Sequence, residues 1–442
     1  MTADATPTGT DGKPGWRYYL QRSVIVMFFL GFSAGLPFLL VYSTLSAWLA
    51  TAGLQMSTIS TFAWLGFAYS LKFAWAPFVD SLPIPVLTRI LGRRRSWLLF
   101  AQVAIGLALL VLAHTDPAAA TGVFAVIALV VAFSAATQDI VIDAYRIECA
   151  EKQLQGVLAA SYQYGYRLAM LVAGAGALYI AQYASWTIAY MSMAACMIVG
   201  IATTLLCSEP AVRTKPIAYA GKSFAERVAA WFMRAVAEPL IDFFKRFGKF
   251  AIVIIAFILL FRLSDYVLGI LANPFYVKIG FSLAEIASVA KIYGVIVSLV
   301  GAAAGGWAVV RYGVARCLIA STILIASTNL FFAMMVYVGA EIWMLTVTIS
   351  ADNFAMGFGG TVFIAYLSSL VNLAFTATQY ALMSSLMSLL GKLTAGFSGN
   401  VQESVGWFGF FIYAAALGIP AILLSLVVAR YHDRLVDGGD DE

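Results

Sequence analysis

The sequence predicts an all-α polytopic membrane protein, with about twelve transmembrane helices in two six-helix halves around a central cavity. Three observations carry that prediction. Twelve long apolar runs punctuate the 442 residues, and the charges between them gather on alternate connections. Hydrophobic residues make up 62% of the chain against 11% charged, with a mean hydropathy of +0.89. A bilayer span takes about 20 apolar residues, and lipid forces backbone donors and acceptors to pair inside helices. A soluble protein with buried helices does not account for so little charge.

The runs fall at 24–50, 57–82, 96–114, 119–147, 158–183 and 186–207, then at 249–272, 283–309, 313–337, 341–371, 374–401 and 406–430. Orientation follows from the connections. Arg17 and Arg22 precede the first run, Arg89, Arg93, Arg94 and Arg95 follow the second, Arg311 and Arg316 flank the eighth-to-ninth turn, and Arg430 and Arg434 follow the last. The links near 51–57, 183–186 and 338–340 hold no Lys or Arg, so both termini are expected in the cytoplasm. The expected organisation is a flexible cytoplasmic N-terminus (1–23), a first transport half (24–207), a cytoplasmic linker (208–248), a second half (249–430) and a cytoplasmic tail (431–442). Charges and aromatics in the later part of the linker repeat with a helical period, which predicts an amphipathic helix at the membrane surface.

Several classes of function are disfavoured. The polar first residues and the long first apolar run do not read as a cleaved export signal. Cys149, Cys196, Cys207 and Cys317 form no C-x-x-C pair, so they read as small apolar residues, with no metal site expected. The net charge of +5 is tied to topology and gives no case for nucleic-acid binding. GFSAGLPF, GAAAGG, GFGGT and GKLTAGFSG are packing and bending signals; none is a phosphate loop or sits in a dinucleotide fold. Pro37 and Pro77 are expected to bend spans.

Polar residues inside the apolar runs hold the chemistry. Asp139, Asp143 and Arg146, spaced by four and three, share one helical face. In a membrane such groups face a protein interior or water, pair, or become neutral. They form either a proton-sensitive carboxylate pair stabilised by Arg146 or a permanent ion-pair cluster that locks helices together. In SYQYGYRLA, Gln163 and Arg167 are four apart, as are Tyr162 and Tyr166, while Gly165 permits close helix approach. This set suits either an anionic hydroxylated ligand or a counter-ion for the carboxylates. Arg262 and Asp265 lie within the seventh run and require a cavity or a tight network. Lys72, Lys291, Lys392 and Asp352 add charges in or near other spans, with near-interface snorkelling or ion pairing an open alternative for Lys72 and Lys291.

GWRYYLQRSVIVMFFLGFSAGLPFLLVYSTLSAWL, LKFAWAPFVDSLP followed by LGRRRSW, SAATQDIVIDAYRIE, SYQYGYRLAM and TVFIAYLSSLVNLAFTATQYALMSSL occur in that order. Over about residues 16–430 the chain resembles the AmpG muropeptide permease family of the major facilitator superfamily. The resemblance implies the major facilitator fold, a bacterial inner-membrane location and import of N-acetylglucosaminyl-1,6-anhydro-N-acetylmuramyl peptides into the cytoplasm. It also implies dependence on the proton-motive force, peptidoglycan recycling and, in some bacteria, signalling linked to beta-lactam resistance. Asp80 and Gly92-Arg93-Arg94 keep parts of a common major-facilitator gating loop, but the segment between them is longer. That leaves Asp80, Arg93 and Arg94 as conformational-loop candidates.

Such a solute needs positive charge, donors and acceptors. Arg167, Arg262 and Lys392 are the charge-binding candidates, with Gln138, Gln163, Tyr166 and Gln379 as sugar or peptide contacts. Asp139, Asp143, Arg146, Asp265 and Asp352 are the proton-coupling or gating candidates. The proton is the expected coupling ion. No cofactor, no nucleic-acid partner and no obligate protein partner are expected beside the solute and the bilayer. The alternatives are a related carrier of another large anion, such as an acetyl-CoA-type carrier, or a membrane enzyme or sensor.

Overall fold

The computed structural model describes residues 21–149, 154–210, 226, 233, 237–370 and 376–437, and among them helix is the regular structure throughout. The first part of the chain supplies α1 (Arg22–Leu40), α2 (Ser43–Thr51), α3 (Met56–Thr61), α4 (Arg93–Ala113), α5 (Thr121–Cys149), α6 (Gln155–Leu171) and α7 (Trp186–Leu206). After residue 249 come α8 (Phe250–Leu260), α9 (Leu263–Ile279), α10 (Gly294–Tyr312), α11 (Val314–Val338), α12 (Ile342–Leu370), α13 (Thr376–Ala395), α14 (Ser398–Ala416) and α15 (Ile419–Asp437). Eight helical stretches among the described residues are long and apolar enough to cross a membrane. The molecule is an all-α polytopic membrane protein.

One face of α4 shows the logic of the solvent. Leu98, Ala101, Ile105, Leu109 and Leu112 are buried, while Phe100, Leu107 and Val111 on the other side are 53%, 58% and 53% exposed. A helix that is apolar all round yet half exposed has lipid as its solvent.

Several expected spans are broken where residue chemistry breaks them. Pro37 lies near the end of α1, and Tyr42, with φ −124° and ψ −104°, separates α1 from α2. The stretch expected at 57–82 divides into α3, a 3-10 turn at Phe62–Gly66, a short helix Phe67–Ser70, a second 3-10 turn at Lys72–Ala74 and a helix Ala76–Ser81 that Pro77 opens rather than bends. π-helical turns occupy Val172–Gly176 and Ile286–Tyr293. Arg262 interrupts the seventh run between α8 and α9. Gly406, at φ 72°, sits inside α14 at the boundary expected between the last two runs.

Helices before residue 207 pack mainly on one another, as do those after 249. Glycines bring backbones together: a Cβ at Gly31 or Gly165 would strike the backbone of the facing helix between α1 and α6, and one at Gly301 or Gly357 would do so between α10 and α12. The apolar core has three regions. One holds only first-part residues with Val24, Met27 and Leu98, and another holds second-part residues such as Phe243, Ile254 and Val428. The third is shared, joining Leu45, Trp48 and Tyr190 to Leu271, Phe275 and Phe411. The shared core lies toward the helix ends away from the termini. The separate cores lie toward the ends that carry them, so among the described residues no apolar core joins the two parts on that side, the side of the cleft in the reading below.

Of the expected linker helix, Glu238–Phe247 is described. It buries Phe243, leaves Ile241 and Phe244 exposed, and Arg246 donates to the Leu370 carbonyl at 2.9 Å. The rest of that expectation, at 211–225, 227–232 and 234–236, lies outside the described residues, as do 1–20, residues 438–442 of the expected tail and the loop at 371–375.

Candidate functional site

Two charge clusters flank the cleft. In the first part the unwound turn at Lys72 turns its ammonium onto α5, 3.9 Å from Asp139 Oδ2 and 3.5 Å from Asp143 Oδ2. Arg146 reaches the other oxygen of Asp143 at 3.6 Å. The result is a chain of alternating sign in which Asp139 is mostly buried and Asp143 is half exposed. Spacing along α5 identified three of its members. Lys72, left open between snorkelling and ion pairing, is the fourth, and its position between the two acids depends on a break in a neighbouring helix that spacing does not encode.

Aromatic rings stand beside this chain. Phe38 lies 5.0 Å from Tyr42, 5.8 Å from Tyr69 and 6.3 Å from Tyr166, and Tyr162 lies 5.9 Å from Tyr166, all between ring centroids. Asp139 is within electrostatic range of Tyr69, Tyr162 and Tyr166. Gln163 and Arg167 occupy the opposite side of α6 from its contact with α1, and both are exposed. Further along the same rod, a Cβ added at Gly174 would meet Leu39 of α1 at 3.0 Å and the stem of Lys291 of the second part at 3.7 Å. Arg167 makes no hydrogen bond or ion pair among the described residues.

In the second part Arg262 Nε donates to Asp265 Oδ2 at 3.2 Å, and a second nitrogen lies 2.8 Å from Met356 Sδ. Asp352, one turn before Met356 on α12, is within electrostatic range of both Arg262 and Asp265. Arg262 is thus held by protein partners in this conformation.

Polar bonds between the parts gather at the end away from the termini. Lys392 donates to the Gly66 carbonyl at 3.1 Å and to Ser70 Oγ at 2.8 Å, and Ser70 meets Ser388 at 3.0 Å. Ser60 donates to the Gly396 carbonyl at 2.8 Å, the Ser57 amide to Glu403 at 2.8 Å, and Trp64 to the Leu393 carbonyl at 3.2 Å. On the other flank Tyr179 meets Ser288 at 2.6 Å, and the Leu283 amide donates to Gln182 at 2.9 Å. Together they form a seal.

Some candidates lie elsewhere. Gln138 is fully buried within the first part and accepts from Ser33 at 3.0 Å; Gln102 and Thr204 continue that network at 3.4 and 2.8 Å. It is turned into helix packing because the alanine-rich face of α5 on which it sits is covered by α1 and α4. Lys392 belongs to the seal rather than to the open cleft. Arg94 is buried in a two-pronged pair with Glu148, at 2.9 and 2.7 Å, while Glu209 accepts from the Arg94 and Arg95 amides at the start of α4. Glu148 and Glu209 escaped the sequence reading because each lies at a span's end, where a carboxylate is ordinary. Arg93 stands beside Arg94 at that helix start, and the side chains of Asp80 and Gln379 lie outside the described part of the structure. Among the described residues no group of three or more His, Cys, Asp or Glu could hold a metal ion.

A family model described as acetyl-coenzyme A transporter 1 matches residues 21–178. A putative transporter AmpG 4 of Rickettsia felis is 34% identical over 406 residues, covering 91% of this chain and 96% of its own. The anhydromuropeptide permease of Escherichia coli K12 is 33% identical over 414 residues, covering 93% of this chain and 80% of its own. Among solved structures, a D-xylose-proton symporter superposes with a TM-score of 0.66 at 16% identity, covering 92% of this chain and 97% of its own. A POT family transporter does so with 0.68 at 13%, covering 93% and 96%. These last two likenesses establish the fold alone. With two charged clusters facing a cleft, a seal at one end and relatives along nearly its whole length, the molecule is a secondary transporter rather than an enzyme. The chain belongs to the AmpG/anhydromuropeptide-permease-like family of major facilitator transporters.

Proposed function

We propose that this protein imports anhydromuropeptides, N-acetylglucosaminyl-1,6-anhydro-N-acetylmuramyl peptides, across a bacterial inner membrane for peptidoglycan recycling, driven by the proton-motive force. In this reading twelve spans form two six-helix halves, 24–207 and 249–430, joined by a cytoplasmic linker at 208–248, with 1–23 and 431–442 also cytoplasmic. The sealed end then faces the periplasm and the cleft opens inward.

The observation that carries the reading is Arg167, an exposed guanidinium in an apolar helix, on the side away from α1 and with no hydrogen bond or ion pair to protein among the described residues. A cation in such a place needs water or an anion, and the guanidinium fork suits a carboxylate. Gln163 and Tyr166 beside it supply a donor, acceptors and a ring face for a sugar or peptide. The relationship to the Escherichia coli permease makes an anhydromuropeptide the first solute to try.

Coupling follows from the alternating chain. Protonation of Asp139 or Asp143 would remove an acceptor from Lys72 and loosen the short helix Phe67–Ser70, which carries Ser70 of the seal. The Arg262, Asp265 and Asp352 group would act similarly on α9 and α12. Binding and protonation then bias one half against the other in alternating access.

A second reading has a specific observation in its favour. The match of residues 21–178 to the acetyl-coenzyme A transporter model suits a carrier of another large anion. Uptake of a labelled disaccharide anhydromuropeptide into right-side-out vesicles, with and without an inward proton gradient, separates the two. Gradient-stimulated accumulation is expected. Correctly inserted protein that accumulates none of it, yet accumulates labelled acetyl-CoA, would replace the first reading with the second.

A further inference from the structure

Apart from Arg167, the basic side chains set into the spans and considered above divide into two kinds. Lys72, Arg94, Arg146 and Arg262 each meet a carboxylate of their own part. Lys291 and Lys392 do not: both come from the second part, reach across to the first, and end on neutral oxygens. Lys392 has two such acceptors, both in the seal. Lys291 has one, Ser43 Oγ at 3.3 Å, and is only half buried. An ammonium carries three donors, and a charge within a membrane span is costly unless it is paired.

The backbone around Lys291 is irregular on every side. Lys291 sits in the π-helical stretch Ile286–Tyr293, and its stem passes beside Gly174 of the π-helical stretch at Val172–Gly176. Ser43 opens α2 immediately after the break at Tyr42, and its carbonyl accepts from the Asn273 amide of α9. Three departures from α-helical geometry on three separate spans thus meet at one amine. Such departures concentrate at working sites. Lys291 lies eight residues from the start of its helix at Leu283. That depth sets it below the bond between Leu283 and Gln182, on the cleft side of the seal.

We propose that Lys291, Ser43 and Asn273 form a carboxylate-reading subsite that is also the latch of the seal. Without solute, Lys291 bonds Ser43 and holds the two parts together. When the seal is open, a solute carboxylate competes with Ser43 for the ammonium, with Asn273 as a second donor, so that the seal recloses around an anion. A neutral solute offers the ammonium no charged partner. The subsite deepens the reading of the protein as an anion importer, and its solute half rests on that reading.

The test combines two measurements on the full-length protein in right-side-out vesicles. The first is uptake of a labelled disaccharide anhydromuropeptide, as the free acid and with its peptide carboxylates amidated. The second is alkylation by a membrane-impermeant maleimide at Ser60→Cys, a buried position in the seal, measured above the parent chain. Lys291→Gln should raise KM for the acid at least tenfold, change KM for the amide less than twofold, and increase alkylation at position 60. Ser43→Ala should increase alkylation but keep the preference for acid over amide, because the ammonium remains. Lys291→Arg should restore most of that preference, which excludes misfolding as the cause. A Lys291→Gln variant with the parent's preference and the parent's alkylation would overturn the proposal. If the parent accumulates neither compound, the muropeptide reading fails on its own, and unchanged alkylation in both Lys291→Gln and Ser43→Ala would overturn the latch separately.

Discussion

Arg94 and Glu148 show what a buried charge demands. Both side chains are 7% exposed, and the guanidinium grips both carboxylate oxygens. Removing one partner leaves the other buried without its charge, which costs about 3–5 kcal/mol, whereas replacing a pair by apolar groups is often nearly neutral. Arg94→Met is therefore expected to lower the thermal midpoint of the detergent-solubilised protein strongly, and Arg94→Met with Glu148→Leu to recover most of the loss. Arg167 is the contrasting case. With no partner among the described residues, its truncation to Ala should leave that midpoint nearly unchanged. It should also raise KM for an anionic solute roughly 10- to 100-fold, the loss of one charge-assisted hydrogen bond of about 1.5–3 kcal/mol. Uptake kinetics beside the melting curve distinguish the two residues. Spacing along one helix made Asp139, Asp143 and Arg146 legible, because i, i+3 and i+4 neighbours share a face whatever surrounds them. Lys72 and Gln138 were not legible: a polar residue's partner is fixed by the rotation of the next helix, and a single sequence does not contain that rotation.

Helix packing here is governed by glycine as much as by apolar residues. A methyl group at Gly165 would overlap the Phe28 carbonyl, so Gly165→Ala must push α6 from α1. A stability loss of about 1–3 kcal/mol is expected, the usual cost of overpacking. Comparing thermal midpoints of Gly165→Ala and Gly122→Ala checks this, since nothing lies within 4 Å of a Cβ at Gly122. The apolar runs located the helices because a run near bilayer length reads the same in any context. Their interiors were harder. The 57–82 run gave no warning that it divides into five short pieces, and no residue in Ile286–Tyr293 marks a π register. Pro37 is the exception: its missing amide foretells a weak helix, and the chain breaks four residues later, before Tyr42. The amphipathic pattern in the linker was legible as a helix, and burial of Phe243 with exposure of Phe244 matches its two faces where it is described.

The two parts share one apolar core at the seal and keep separate cores at the other end. In the proposed cycle the molecule moves by separating the shared region while each separate core stays intact, the rocking of two bundles about a central site. Charge asymmetry between alternate loops gives an expected orientation, but not which end is closed, because closure is a property of one conformation. What the sequence could not hold is the set of cross-part bonds, since Ser70, Ser388, Ser60 and Gln182 are unremarkable polar residues until the helices that carry them meet. The most direct test of a transporter that must part these bonds is a cross-link through them. Ser70 and Ser388 oxygens lie 3.0 Å apart, so the double variant Ser70→Cys, Ser388→Cys should form a disulfide under mild oxidation. Vesicles carrying it should then lose gradient-driven uptake of the labelled anhydromuropeptide and regain it on reduction. Full uptake by protein shown to be quantitatively cross-linked would contradict a cycle that opens this seal.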